Sequence, residues 1–527
     1  MSNKAPDSGR AEYNTSYKVG QDNIQFFGLD VLNPVFTTSA LIILAFILGS
    51  ILFPADASAV LSGAKSWSIN NFDWFFMVAG NIFVLFCLAL ILLPFGRIRL
   101  GGTEAKAEHS TITWFSMLFA AGMGIGLMFW SVAEPVAYYT GWYGTPFEVM
   151  KNTPEAKDLA MGATMFHWGL HPWAIYAVVA LSLAFFAYNK GLPLTIRSAF
   201  YPLFGEKVWG VIGHFIDIIS VIATIFGLAT SLGFGAQQAT SGLNFLFDIP
   251  NTLTTQIVVI CGVTAIAIFS VARGLEGGVK LLSNINMIIA AALAIFIVIV
   301  GHTGAIFAAM GSFLLNYVEH IIPLSNWIGR EDETFYHGWT VFYWAWWISW
   351  SPFVGMFIAR VSRGRTVREF IIAVLLVPTL VTLVWMSVFG GSALEQVQNG
   401  VGALANGISD SSLAMFQMFE QLPLTAITSF VGIILVLVFF VTSSDSGSLV
   451  IDGITAGGKT DAPMVQRVFW AVLEGIIAIA LLVGGGSEAL GAIQAAAITI
   501  GLPFTLLMLV MCVSLWKGLS SDIHLYK

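Results

Sequence analysis

Twelve apolar runs divide this chain, and each is long enough as a helix to cross the roughly 30 Å hydrocarbon core of a bilayer, which takes about 20 residues. They fall near 35–54, 74–96, 111–139, 163–188, 208–236, 254–272, 280–301, 338–359, 367–390, 424–443, 466–485 and 488–516, numbered here as spans 1 to 12. Lipid offers no hydrogen bonds to exposed backbone, and a helix satisfies its own peptide groups within each segment. Of the 527 residues 57% are hydrophobic and only 10% charged, which excludes an ordinary soluble globule. The expectation is an all-α membrane protein.

Charge sets the orientation and removes one class of partner. Of the 23 Lys and Arg, 19 fall in the N-terminal tail and in the loops on one side, whereas Lys65, Lys151, Lys157 and Arg330 fall on the other. The basic side is cytoplasmic by the positive-inside rule, so both termini are predicted inside a cell (inner) membrane. A net charge of −7 with scattered basic residues gives no footprint for nucleic acid. The polar first thirty-odd residues lack the apolar core of a signal peptide and read as a cytoplasmic tail. Cys87, Cys261 and Cys512 each sit in an apolar run, as small buried hydrophobes with no disulfide expected. The segment LEQVQNGVGALANGISDSSLAMFQMFEQL between spans 9 and 10 is too polar to cross and is expected along the outer surface.

Four spans carry chemistry. Span 3 holds AAGMGIGLMFWSVAEP, with Gly122, Gly124 and Gly126 alternating. These glycines fit close helix packing or an unwound segment whose backbone holds an ion or an anionic group. Span 8 holds FYWAWWISWSPFVG, with Trp344, Trp346, Trp347 and Trp350 ahead of Ser351 and Pro352. Proline frees a carbonyl, so a second break is expected there. Span 4 opens HWGLHPWAIY, where Trp173 and Tyr176 share a face and Trp168 is displaced. Tryptophans also form interfacial belts, but a quaternary ammonium or sulfonium group has no proton to donate and is selected by aromatic faces. Two clusters on separate helices therefore suggest an onium box. Span 10 ends FFVTSSDSGSLV, whose Thr442, Ser443, Ser444 and Ser446 suit helix capping or sodium ligation. His167 and His171 lack an acidic third metal ligand, Glu134 and Asp445 fit structural pairing near span ends, and no nucleophile, base and oxyanion set marks an enzyme.

Together GMGIG, HWGLHPWAIY, WAWWISWSPFVG and TSSDSGS, with NKGLPLTIRSAFYPLFG and ARVSRGRTVREF, resemble the betaine/choline/carnitine transporter family over residues 35–516. The resemblance implies twelve transmembrane helices with a LeuT-type inverted repeat of five plus five and two extra N-terminal helices. The parts would be an N-terminal tail (1–34), the two extra helices (35–110), a first repeat (111–301), an extracellular connection (302–337), a second repeat (338–516) and a C-terminal tail (517–527). A homotrimer in the bilayer is implied as well. Carried over by motif, Trp168, Trp173, Tyr176 and Trp347 would form the onium box, Trp346 and Trp350 would line the substrate path, and Gly122 and Gly124 would meet a carboxylate. No cofactor is implied beyond a coupling sodium ion, held by carbonyls of Ala120, Met123 and Phe439 with the hydroxyls of Thr442 and Ser443. Thr224 and Phe353 match a second ion site, although the threonine expected one turn later is Leu228.

Departures from the family's variants bear on coupling. Proton-coupled choline members carry aspartate at the last glycine of the span 3 motif, here Gly126, and sodium-independent exchangers carry an arginine on span 5, absent here from Val208 to Ala236. The prediction is sodium symport of a zwitterion such as glycine betaine or dimethylsulfoniopropionate. Proton-coupled choline import is the first alternative, and a non-transporting membrane sensor of onium ligands is the alternative of another class.

Overall fold

The computed structural model describes residues 11–122, 124–273, 280–485 and 489–526. A short hairpin, β1 (Ile24–Phe26) with β2 (Leu29–Val31), precedes a bundle of helices: α1 (Asn33–Leu52), α2 (Pro54–Leu92), α3 (Thr111–Gly122), α4 (Ile125–Thr140), α5 (Pro154–Trp168), α6 (Leu170–Tyr188), the single turn α7 (Tyr201–Phe204), α8 (Val211–Phe247), α9 (Leu253–Arg273) and α10 (Lys280–Val300). The second half contains α11 (Thr303–Leu324), the single turn α12 (Glu333–Phe335), α13 (Phe342–Val361), α14 (Val367–Gln398), α15 (Ala414–Phe419), α16 (Thr425–Thr455), α17 (Met464–Gly485) and α18 (Ala489–Asp522).

Among the described residues eleven helices are long and apolar enough to cross a membrane, and α3 with α4, bent by 66°, makes up to twelve. The membership differs from the sequence expectation. Helix α11 qualifies, although 302–337 reads as a connection in the sequence; Ile306, Ala309, Phe313 and Tyr317 give it one buried stripe against α5 and α14. The tryptophan-rich α13 does not qualify by hydropathy, because its neighbours are α6, α8 and α18 rather than lipid. Gly355 lets α13 and α6 approach closely: a Cβ there would lie 2.7 Å from Val179 and 3.2 Å from the Ala180 nitrogen.

The polar stretch after span 1 is helical: the chain turns at Phe53 and α2 runs for 39 residues, about 58 Å, well beyond the bilayer core. The polar segment between spans 9 and 10 forms no spanning helix; its part from Gln398 to Ala403 is exposed, whereas Met415, Phe416 and Phe419 of α15 are fully buried, packed against α4 and α16. Cys261 is exposed on α9, while Cys87 and Cys512 are buried.

The two expected breaks divide differently. Span 3 bends by 66° between its two helical parts, Thr111–Ala120 and Ile125–Thr140; Met123 lies outside the described residues. Span 8 does not break at Pro352, because the Ser351 hydroxyl donates at 2.7 Å to the Ile348 carbonyl that the missing proline N–H leaves free, and α13 continues. The second interruption is instead in span 4, at Gly169, where φ −98° and ψ −129° leave the helix between α5 and α6.

Candidate functional site

The interruption at Gly169 assembles the site. A Cβ at this position would fall 2.6 Å from the Met165 carbonyl oxygen and 2.7 Å from the Tyr317 hydroxyl, so only glycine fits. Pro172 adds to the break by withholding the N–H that would pair with the Trp168 carbonyl. Two backbone groups beside the break find side-chain partners. The Leu170 N–H donates to the Tyr317 hydroxyl of α11 at 2.8 Å, and the His167 carbonyl accepts the Trp347 indole N–H at 2.9 Å. The same break that turns Trp168 toward the other rings therefore also fixes Trp347.

The four box residues meet edge to face. Trp168 and Trp347 have ring centres 4.8 Å apart at 70°, Trp173 and Tyr176 5.2 Å at 74°, and Tyr176 and Trp347 6.3 Å at 76°. Trp346 stacks on Trp347 at 4.7 Å and 14°. All six predicted aromatic residues and Gly124 line one cavity of about 460 Å³ including its mouth, joined by Gly126 and the hydroxyl residues Ser231 and Thr382. Gly122 is the last residue of α3.

The cavity also has polar groups. Helix α4 starts after Gly124 with no side chain capping its first N–H groups, which makes its N-terminus attractive to an anion. The indole N–H groups of Trp346 and Trp350 and the Ser231 hydroxyl, all on the lining, have no hydrogen-bond partner among the described residues. Gly126 closes the space between: a Cβ there would lie 2.9 Å from both Trp168 and Trp346, so an aspartate could enter only by displacing two indoles.

The ion residues come together only in part. Thr442 and Ser443 lie inside α16, which continues to Thr455, so they cap no helix end. The Thr442 hydroxyl turns back to the carbonyls of Val438 at 3.0 Å and Phe439 at 3.2 Å, which sets two of the five proposed ligands side by side. Ala120 is half-buried on α3, and Met123 lies outside the described residues. For the second site, the Thr224 hydroxyl donates to the Ser220 carbonyl at 2.7 Å, as Thr442 does to its own helix, and Phe353 packs edge-on to Trp350 at 5.3 Å. Leu228 fills the expected hydroxyl position and presses on Gly447 of α16, where a Cβ would come within 2.2 Å.

Sequence reasoning placed Glu134 near a span end. It is instead fully buried beside the box and accepts the Trp168 indole N–H at 2.6 Å. The signal that marks it is Tyr138, one turn further along α4, whose hydroxyl also donates to it.

A family model described as BCCT, betaine/carnitine/choline family transporter, matches residues 34–524. The chain is 63% identical over 510 residues, 96% of its length and 97% of the relative's, to glycine betaine transporter 1 of Vibrio parahaemolyticus. It is 60% identical to a glycine betaine/proline/choline/ectoine transporter of that organism, covering 97% of this chain and 92% of that one. The glycine betaine transporter OpuD of Bacillus subtilis is 42% identical, over 93% of this chain and 95% of the relative. Among solved structures, a manganese transporter of Eremococcus coleocola aligns with a TM-score of 0.36 and 12% identity, over 79% of this chain and 81% of that one, too loosely to bear on the repeat arrangement.

Proposed function

Because this chain belongs to the betaine/carnitine/choline family of transporters, we propose that it imports a small methylated onium zwitterion of the glycine betaine type by sodium symport. The observation that carries this reading is a single cavity whose lining combines the aromatic rings with donors that have no partner among the described residues, the indole N–H groups of Trp346 and Trp350 and the Ser231 hydroxyl. Trp168, Trp173, Tyr176 and Trp347 take the positive methyl-bearing head, each face contributing on the order of 0.5 to 2 kcal/mol. The uncapped start of α4 and the indole N–H groups of Trp346 and Trp350 take the carboxylate. Glycine betaine and its sulfonium analogue dimethylsulfoniopropionate share both ends, and glycine betaine is the cargo named for the relatives.

Coupling to sodium rests on the pairing of Thr442 with the Phe439 carbonyl. A single ion is favoured over two, since Leu228 brings apolar packing where a second site needs an oxygen. Proton-coupled choline import is disfavoured by the lack of space, and of a carboxylate, at Gly126. We place the protein in the inner membrane with both termini cytoplasmic on the Lys and Arg asymmetry, and as a homotrimer on family resemblance.

Uptake of labelled glycine betaine into proteoliposomes decides the matter. Accumulation driven by an inward sodium gradient is expected; equal rates without the gradient would reject the coupling. Binding without accumulation under any gradient would favour a sensor.

A further inference from the structure

We propose that Glu134 is the fixed counter-charge of the onium box, a positioning residue that makes the site prefer a cationic head over a neutral one of the same shape. This rests on the reading of the four rings as the onium site. The Glu134 side chain is fully buried on α4 and accepts four hydrogen bonds. Oε1 takes the Tyr138 hydroxyl at 2.8 Å and Nδ1–H of His167 at 3.1 Å; Oε2 takes the Trp168 indole N–H and the Tyr343 hydroxyl, each at 2.6 Å. An indole nitrogen only donates. Nε2 of His167 lies 2.9 Å from the Thr340 hydroxyl, which seats the ring beside Glu134. Four donors converging on two oxygens fit a carboxylate anion.

No lysine or arginine among the described residues forms an ion pair with this anion. Arg330 is the nearest guanidinium to act on His167, and it is already matched by both oxygens of Asp332, at 2.7 and 2.8 Å. The charge of Glu134 is therefore spread over four donors, of which His167 is the one titratable base, and no lysine or arginine among the described residues holds it. The cavity lies across Trp168: the indole nitrogen is on Glu134, and the far edge of the same ring is what a Cβ at Gly126 would strike at 2.9 Å. A substrate cation in the box sits about one indole away from the carboxylate, in surroundings of low dielectric where such a charge is weakly screened. Donation from the indole N–H to an anion also pushes electron density into the ring, which strengthens its attraction for a cation. Rings alone hold a trimethyl group partly by its apolar surface; the carboxylate adds what only a positive charge can use.

The test compares glycine betaine with 3,3-dimethylbutanoate, its carbon isostere, which keeps the carboxylate and the shape but not the positive charge. Binding of both to the purified full-length protein is measured for the parent, E134Q and E134D, with folding checked by gel filtration and thermal melting. E134Q is expected to weaken glycine betaine about tenfold and the isostere by less than about threefold. E134D keeps the charge and is expected to keep the parent's preference for the cation. Unchanged betaine affinity in E134Q, or an equal loss for both compounds, would overturn the proposal and make Glu134 a structural clamp. Should E134Q not fold, collapse of the preference in E134D overturns it as well. If Trp347→Ala leaves betaine binding intact, it is the box assignment that fails, a separate outcome.

Discussion

Among the described residues two glutamates, Glu134 and Glu474, are fully buried, and their surroundings are opposite. Glu134 on α4 has four donors on its two oxygens, whereas Glu474 on α17 has the Ser444 hydroxyl on Oε2 at 2.9 Å and no partner for Oε1 among the described residues. A buried polar network that is complete fixes its members in one arrangement; one that is incomplete costs free energy and leaves its members free to re-pair. The box end of the molecule is thus preorganised, with Trp168 and Trp347 each tied by an indole N–H to α4 or α5. On the flank around α16 and α17, next to Thr442 and Ser443, Glu474 is tied by one bond only. A carrier needs both: rigid recognition of its cargo and a flank whose contacts exchange.

The largest expected effect breaks the rigid side. Trp347→Ala removes the ring that touches Trp168, Trp346 and Tyr176 and leaves the His167 carbonyl without its donor. Loss of two or more cation–π contacts predicts a fall of about a hundredfold in glycine betaine affinity, read by tryptophan fluorescence or calorimetry. Trp347→Phe keeps a ring and should recover part of it. Unchanged affinity in the alanine variant would end the box assignment.

Gly169→Ala strikes the backbone that places these rings. The added Cβ meets the Met165 carbonyl and the Tyr317 hydroxyl below 3 Å, with 2.6 and 2.7 Å available, so α5 or α11 has to shift. A drop in melting temperature corresponding to about 1 to 3 kcal/mol is expected, together with about tenfold weaker binding. Parent-like melting and affinity would mean that the interruption at 169 does not position Trp168.

On the other flank, Thr442→Ala removes a hydroxyl that bonds to carbonyls of its own helix, so stability should barely change. As a sodium ligand, however, its loss should raise the sodium concentration for half-maximal uptake about tenfold, while affinity for glycine betaine at saturating sodium stays within about threefold. A sodium curve that does not move would leave Thr442 as a back-bonded helix residue only.

How much of this was legible in the sequence follows from the kind of signal each feature carries. Apolar length revealed the spans, and residue type revealed the aromatic cluster, because Trp168, Trp173, Tyr176 and Trp347 are chemically conspicuous wherever they fold. The break at Gly169 was harder to read. Glycine and Pro172 within one turn were the clue, yet Pro352 offered a stronger one and was silent, since Ser351 satisfies the carbonyl it frees. Glu134 looked like a charge near a span end because its four donors come from α4, α5 and α13, a convergence that linear spacing does not show. Helix α11 was missed because Asn316, His320 and Glu319 dilute its apolar stripe.

The smallest expected effect sharpens the contrast between the two glutamates. In Glu474→Gln the carbonyl oxygen can keep the Ser444 bond, and the new amide replaces an oxygen that had no donor to lose. Replacing a buried, incompletely paired carboxyl group by an isosteric amide is often neutral or stabilising. No box residue touches Glu474, whose contact is with α16, so glycine betaine affinity should stay within about threefold of the parent and the melting temperature should hold or rise. If E474Q instead loses affinity as steeply as E134Q, the two carboxylates are not opposites, and the α16–α17 flank takes part in holding the cargo as directly as the rings do.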